Sequence, residues 1–253
     1  MKKTMLTVCC LLCLGEAIAE NYHVKTQNTM MVLNGEKGSR LNFVYYGPTA
    51  STDDIYATGN AIGWGAYPTF GTHCTAEHAL LVQQAEGDNA LELTIEDVRQ
   101  YEEGPAQVTE FLLKDRVHPL SVSVKYKAIP DVDIIKMSTV ITNEARKSVT
   151  LQRFASAYLP VNSNDLWLSY LVGGWGAECQ LMEEPLHRGR KVIGGHDGAR
   201  TSFTTHPSFM VSRGEPNEQK GLVIGGTLLW TGNYEISFLK ENDGNMLEIV
   251  AGI

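Results

Sequence analysis

Leu120-Ser-Val-Ser-Val-Lys-Tyr126 decides the fold class. Apolar and polar side chains alternate along it. In an extended chain that period sends Leu120, Val122, Val124 and Tyr126 to one face and Ser121, Ser123 and Lys125 to the other. One face can pack on a core while the other meets water. The period recurs in Leu91-Glu-Leu-Thr-Ile95 and, with one break each, in Val149-Thr-Leu-Gln-Arg-Phe154 and Tyr234-Glu-Ile-Ser-Phe-Leu239. Turn signals separate the runs: Asn34-Gly35, Glu86-Gly87-Asp88-Asn89, Glu103-Gly104-Pro105, Asp197-Gly198 and Asp243-Gly244.

Working outward, the pattern predicts strands near 30–34, 40–47, 78–85, 90–100, 108–115, 120–128, 132–143, 148–160, 166–172, 190–194, 203–212, 220–230, 233–240 and 246–252. Residues 76–84 read equally as a helical turn or a strand. Nowhere do twelve residues hold a 3.6-residue period. So many antiparallel strands do not remain one flat sheet. The expected fold is all-β, a large antiparallel two-sheet β-sandwich. No internal repeat suggests a propeller or solenoid, and no linker divides the chain.

The 253 residues are 43% hydrophobic and 20% charged, a globular balance that excludes disorder. Residues 1–19 are set apart. Lys2 and Lys3 precede an apolar stretch, Met5 to Leu14, and Ala17-Ile18-Ala19 fits the small-residue cleavage rule. This reads as a secretory signal peptide, with residues 20–253 as one exported domain, secreted or periplasmic, outside the membrane after cleavage. Removing Lys2, Lys3 and Glu16 takes the net charge from −8 to −9. Such a chain repels phosphate backbones, which argues against a nucleic-acid partner. Cys74 and Cys179 remain after cleavage; in an oxidising compartment they either pair or stay as two separate thiols.

The sequence carries no G-x-S-x-G elbow, no H-E-x-x-H and no phosphate-cradling glycine loop. His73, Cys74, Glu77 and His78 have ligand chemistry, but residues 73 and 78 fall on opposite faces of a strand, so no metal or other cofactor is assigned. Glycosidic chemistry asks for two carboxyl groups across one bond. Asp53-Asp54, Glu102-Glu103, Asp131/Asp133 and Glu183-Glu184 are the candidates, and each reads better as solvated turn charge. Trp175 stands out, in Gly173-Gly-Trp-Gly-Ala-Glu178. Glycines on both sides leave the indole unshielded, free to stack on the apolar face of a sugar for roughly 1–3 kcal/mol. An ordinary core Trp beside a bulge is an equal reading from these residues alone. Trp167 and Trp230 sit in strand patterns and are expected in the core.

A family resemblance rests on ordered segments along the chain. They are Phe43-Val-Tyr-Tyr-Gly47, Tyr67-Pro-Thr-Phe-Gly71, Val124-Lys-Tyr126, Asp133-Ile-Ile135, Ile141-Thr-Asn143, Gly173 to Glu178, Gly189-Arg-Lys-Val192, Arg200-Thr-Ser202, His206-Pro-Ser-Phe209, Trp230-Thr-Gly-Asn233 and Gly252-Ile253. Together they resemble the N-terminal β-supersandwich domain of glycoside hydrolase family 36, the α-galactosidases. The resemblance implies two large antiparallel sheets. It also implies an enzyme that removes terminal α-galactose from sugars such as raffinose and melibiose by double displacement. In the family both catalytic Asp residues lie in a following (β/α)₈ barrel of about 250 residues. The resemblance therefore implies no catalytic residue within these 253 and no hydrolysis by them alone.

Three further expectations come with the resemblance. The family's loop Trp walls the galactose pocket, and Trp175 matches it. A second family loop, bearing an Asp and an Arg, reaches a neighbouring protomer's site. Its match, Pro48–Gly65, holds Asp53 and Asp54, holds no Arg and is shorter, which bears against a tetramer. The family's D-F-R after Y-P-x-[FY]-G is replaced around His73-Cys74-Thr75, and Cys74 and Cys179 both fall near substrate-side loops. The implied partners are α-galactosides, bound together with a barrel. A separately encoded barrel or a homo-oligomer is a further alternative. The competing reading is a stand-alone secreted carbohydrate-binding or scaffold module.

Overall fold

The computed structural model describes residues 20–57, 62, 64–71, 77–162, 164–241 and 246–253. The segment read as a signal peptide lies outside the described residues, as do His73 and Cys74.

In chain order the elements are β1 (Glu20–Lys25), β2 (Thr29–Gly35), β3 (Asn42–Pro48), helix α1 (Thr52–Ala57), β4 (Trp64–Gly65), β5 (Leu80–Gln83), β6 (Leu93–Glu103), β7 (Ala106–Asp115), β8 (Leu120–Ile129) and β9 (Ile134–Asn143). They continue with β10 (Thr150–Asn162), β11 (Leu166–Val172), β12 (Gln180–Pro185), β13 (Gly189–Gly195), β14 (Thr205–Arg213), β15 (Val223–Thr227), β16 (Tyr234–Lys240) and β17 (Met246–Gly252). The fold is all-β, and every ladder between named strands is antiparallel.

The sandwich is divided into four hydrogen-bonded sheets: β1-β2-β3-β4, β6-β7-β8-β9, β13-β16-β17-β10-β5 and β12-β11-β14-β15. One apolar core joins all four, from Tyr22 and Phe43 through Phe111 and Tyr126 to Leu168, Phe238 and Ile249. β10 is bulged between Leu151 and Arg153 and again between Ala155 and Ala157. Each bulge adds a residue on one strand and strengthens the local twist. β8 runs as its alternation predicts: Leu120, Val122, Val124, Tyr126 and Ala128 are buried.

The first sheet has two apolar faces. Tyr22, Val24, Met31, Leu33 and Phe43 enter the main core, while Met30, Val32 and Val44 face the other way. α1 covers that second face with Ile55, which is fully buried. Burying such a side chain contributes roughly 1.5–3 kcal/mol. At six residues the helix is too short to show a 3.6-residue period in the sequence.

Asp133 ties the β8–β9 turn to the β1–β2 turn. Its backbone is left-handed, at φ 54°. Its carboxylate accepts from the Thr26 hydroxyl, from the Asn28 amide at 3.1 Å and from the Thr29 amide at 3.2 Å. Those donors hold its pKa below the ordinary range, with the Thr26 bond the largest cause.

Candidate functional site

Trp175 lies in the turn between β11 and β12 and is 90% exposed. The turn is rigidly closed beneath it. Gly174 and Ala177 exchange backbone bonds of 3.3 and 3.0 Å, and the Gly176 amide donates to Glu178 Oε1 at 3.2 Å. Gly176 has φ 74°, a conformation glycine adopts without strain. A Cβ on Gly173 would sit 2.8 Å from Glu178 Cα, so only glycine lets the chain double back there. The turn thus lifts the indole into solvent while its own backbone stays satisfied.

Two further loops are laced to this turn. The Gly173 amide donates to the Thr204 carbonyl at 2.9 Å. The 196–204 loop then meets the β15–β16 loop: Gly232 N–H donates to Thr201 Oγ1 at 2.7 Å, and Gly198 N–H to Asn233 Oδ1 at 2.9 Å. That third loop carries Leu229, 78% exposed, and Trp230, 48% exposed. The expectation of a core Trp230 is therefore corrected. β15 ends at Thr227, and the indole folds back over Gly232, where an added Cβ would lie 2.8 Å from Trp230 Nε1. Nε1 donates to the Asn233 carbonyl at 3.1 Å, leaving much of the ring in solvent. Trp167 is partly buried, on the face of β11 opposite the fully buried Leu168.

Asp53 and Asp54 both lie in the first turn of α1 and are exposed, but they differ. The Asp54 amide donates to Ser51 Oγ at 3.1 Å, and Ser51 Oγ donates back to Asp54 Oδ2 at 2.5 Å, a reciprocal helix cap. Asp53 makes no side-chain bond among the described residues. Of the two, Asp53 is the carboxylate left available to a ligand. No hydrogen bond or ring contact among the described residues joins α1 to the Trp175 turn. Residues 58–61 and 63 of the matching loop lie outside the described residues. Cys179, at the foot of the Trp175 turn, is exposed and left-handed at φ 57°.

Of the other carboxylate candidates, Asp133, Glu103, Glu183 and Glu184 are engaged structurally, while Glu102 and Asp131 make no side-chain bond among the described residues. Glu103 pairs with Lys127 at 2.7 Å. Glu183 accepts from Ser169 at 3.2 Å, and Glu184 pairs with Lys191 at 2.6 Å while accepting from the Tyr170 hydroxyl at 2.9 Å. His78 packs edge-on against Phe70, with ring centroids 5.6 Å apart.

The sequence reading missed a charged network on one face of the five-stranded sheet. Glu77 pairs with Arg153 and, at 3.0 Å, with Arg190; both arginines also reach Glu235. Ser237 accepts from Arg153 at 2.9 Å. Glu248 is fully buried beside them. Its Oε2 accepts from the Tyr158 hydroxyl at 2.7 Å and from the Glu77 amide at 2.8 Å, and its Oε1 has no partner among the described residues. Burial pushes the Glu248 carboxyl up to about 7, against those two donors, with the charges of Glu241 and Glu77 adding to the rise. Burial also opposes ionisation of Glu77, but the two arginines outweigh it and hold that carboxyl below its ordinary value. Two carboxyls with divergent pKa values resemble an acid/base pair. Arg153 and Tyr158 of β10 and Arg190 of β13 hold the two carboxyls, which gives the network the role of a structural clamp.

These features define an antiparallel β-sandwich domain with an aromatic loop edge and a partly buried charged seam. The chain belongs to a family: the glycosyl hydrolase family 36 N-terminal domain matches residues 38–253. The α-galactosidase AgaA of Geobacillus stearothermophilus is 24% identical over 183 residues, which are 66% of this chain and 25% of AgaA. A probable α-galactosidase G of Aspergillus terreus is 24% identical over 135 residues, 52% of this chain and 18% of that protein. The fold is shared with the solved α-galactosidase of Lactobacillus brevis, at a TM-score of 0.82 and 22% identity over 92% of this chain and 36% of that one. It is also shared with an AgaA variant solved with raffinose, at a TM-score of 0.83 and 19% identity over 92% of this chain and 37% of that one. The chain thus spans about a fifth to a quarter of the curated relatives and over a third of the solved chains.

Proposed function

We propose that residues 20–253 form the exported N-terminal domain of an α-galactosidase-type hydrolase. It supports a catalytic barrel and walls the galactose site with Trp175, aided by Asp53. The observation that carries this reading is the exposed indole on a turn whose backbone is already satisfied. Such a side chain contributes nothing to the domain's own core, and its apolar face suits the C–H face of galactose.

A second feature supports the role beside a barrel. On the outward face of the β12-β11-β14-β15 sheet, Leu171 stands opposite Leu181, Ser169 opposite Met210 and Ser212 opposite Val223. Leu181, Met210 and Val223 are exposed. Exposed apolar side chains set among Ser169, Ser212 and Glu183 on this face suit a surface covered by a neighbouring domain. Hydrolysis of raffinose by residues 20–253 alone, and by the same residues together with a family barrel, tests the proposal. Turnover is expected only with the barrel. Turnover by the domain alone would overturn it.

A further inference from the structure

A different part of the molecule holds an open groove of about 290 Å³ between the edge strand β1 and the β6–β7 ladder. Three consecutive β1 residues, His23, Val24 and Lys25, border it. Successive side chains of a strand point to opposite faces. A cavity touching all three therefore runs along the strand's edge, where β1 has no partner on its outer side among the described residues. The opposite wall carries Gln100, Glu102, Gln107 and Thr109, with Gln100 facing Thr109 and Glu102 facing Gln107 across the ladder.

The polar groups here are largely uncommitted. Gln100 Nε2 donates to Thr109 Oγ1 at 3.4 Å, which leaves the Gln100 carbonyl oxygen free. The side chains of Lys25, Glu102 and Gln107 make no hydrogen bond or ion pair among the described residues. By contrast, neighbouring Glu103 is paired with Lys127. The groove thus offers an ammonium that donates, a carboxylate that accepts and amides that do both.

We propose that this groove is a non-catalytic saccharide subsite, separate from the Trp175 turn. A sugar hydroxyl both donates and accepts, so vicinal hydroxyls match a mixed set of this kind. One ammonium and one carboxylate leave the groove near neutral, which suits an uncharged ligand. The volume lies at the lower end for small-molecule sites. An extended peptide adding to β1 is the competing occupant, but that mode needs pockets for alternate side chains. Here polar side chains predominate in the wall, with Tyr101, Val108 and Ala128 set between them.

The test is a melibiose titration of the whole chain, followed by backbone amide NMR shifts. Shifts are expected at residues 23–25 and 100–109, at millimolar sugar. They persist in the Trp175→Ala variant, and the Glu102→Ala/Gln107→Ala double variant weakens the affinity about tenfold. Both substituted residues are exposed, so unchanged dispersion elsewhere verifies the fold. The proposal is overturned by the absence of shifts at those amides. It is equally overturned by shifts that survive the double substitution, or by shifts that a polar hexapeptide produces and melibiose does not.

Discussion

The Glu77–Glu248 seam and the Trp175 turn solve opposite problems. In the seam, charged groups from the buried Glu248 to the partly exposed Arg190 and Glu235 are matched to one another, and Glu248 Oε1 is left without a partner among the described residues. In the turn, the backbone is matched and a large apolar ring is left outside. The difference separates side chains that hold the fold from one that the fold leaves unused. The seam holds the five-stranded sheet and the segment before β5 together through paired side chains. The turn holds nothing together through its side chain, which is why that side chain is available.

The largest effect expected is in the seam. Glu77→Ala leaves Arg153 and Arg190 with the half-exposed Glu235 as their one remaining shared carboxylate among the described residues, and removing one member of a buried pair costs about 3–5 kcal/mol. Chemical denaturation should show a loss toward the lower end, since Arg190 is partly exposed. A loss under about 1 kcal/mol would erase the distinction between seam and surface.

Next comes a pH dependence. Glu248 has a native pKa near 7 against an ordinary value of 4.5. Its contribution to stability is fully present below about pH 4.5 and is lost as pH rises through 7, because the native state must then give up a proton it favours. The size is about 3 kcal/mol, at ~1.4 kcal/mol per pKa unit. Glu77 works in the other direction: its contribution is present above its ordinary pKa and lost as pH falls through the lower native value. His23, its pKa lowered by burial, also opposes the Glu248 trend below 6.5. Melting curves of Glu248→Gln against the parent isolate the first effect. The parent's advantage should shrink from pH 5 to pH 8, and parallel curves would contradict the assignment.

Smaller effects sharpen the contrast. Ser51→Ala removes the cap on α1 and should cost about 1 kcal/mol by thermal denaturation. Trp175→Ala should change stability by less than about 0.5 kcal/mol, since the ring packs on almost nothing. A larger loss would mean that the turn belongs with the seam.

Much of the sheet framework was legible because it follows a period of two. β8 and its neighbours show that period in the letters themselves. β1 shows it too, with Tyr22 and Val24 buried between Asn21, His23 and Lys25, but two apolar residues made too faint a signal. β12 is an edge strand exposed on both faces over most of its length, so no alternation marks it. The flanking glycines of Trp175 left exposure and a core position as equal readings, and the structure decides for exposure. The exposure of Trp230 was not readable, because its fate turns on a fold-back over Gly232. The charged seam was invisible for another reason. Residues 77, 153, 158, 190, 235 and 248 meet only after β5, β10, β13, β16 and β17 have paired. Nothing local in the sequence announces such a meeting.

The most direct test is kinetic: raffinose hydrolysis by this domain joined to a family barrel, with Trp175 intact and as Trp175→Ala. If the indole walls the galactose site, kcat/KM falls about tenfold, chiefly through KM, while the melting temperature stays put. An unchanged kcat/KM would contradict the account.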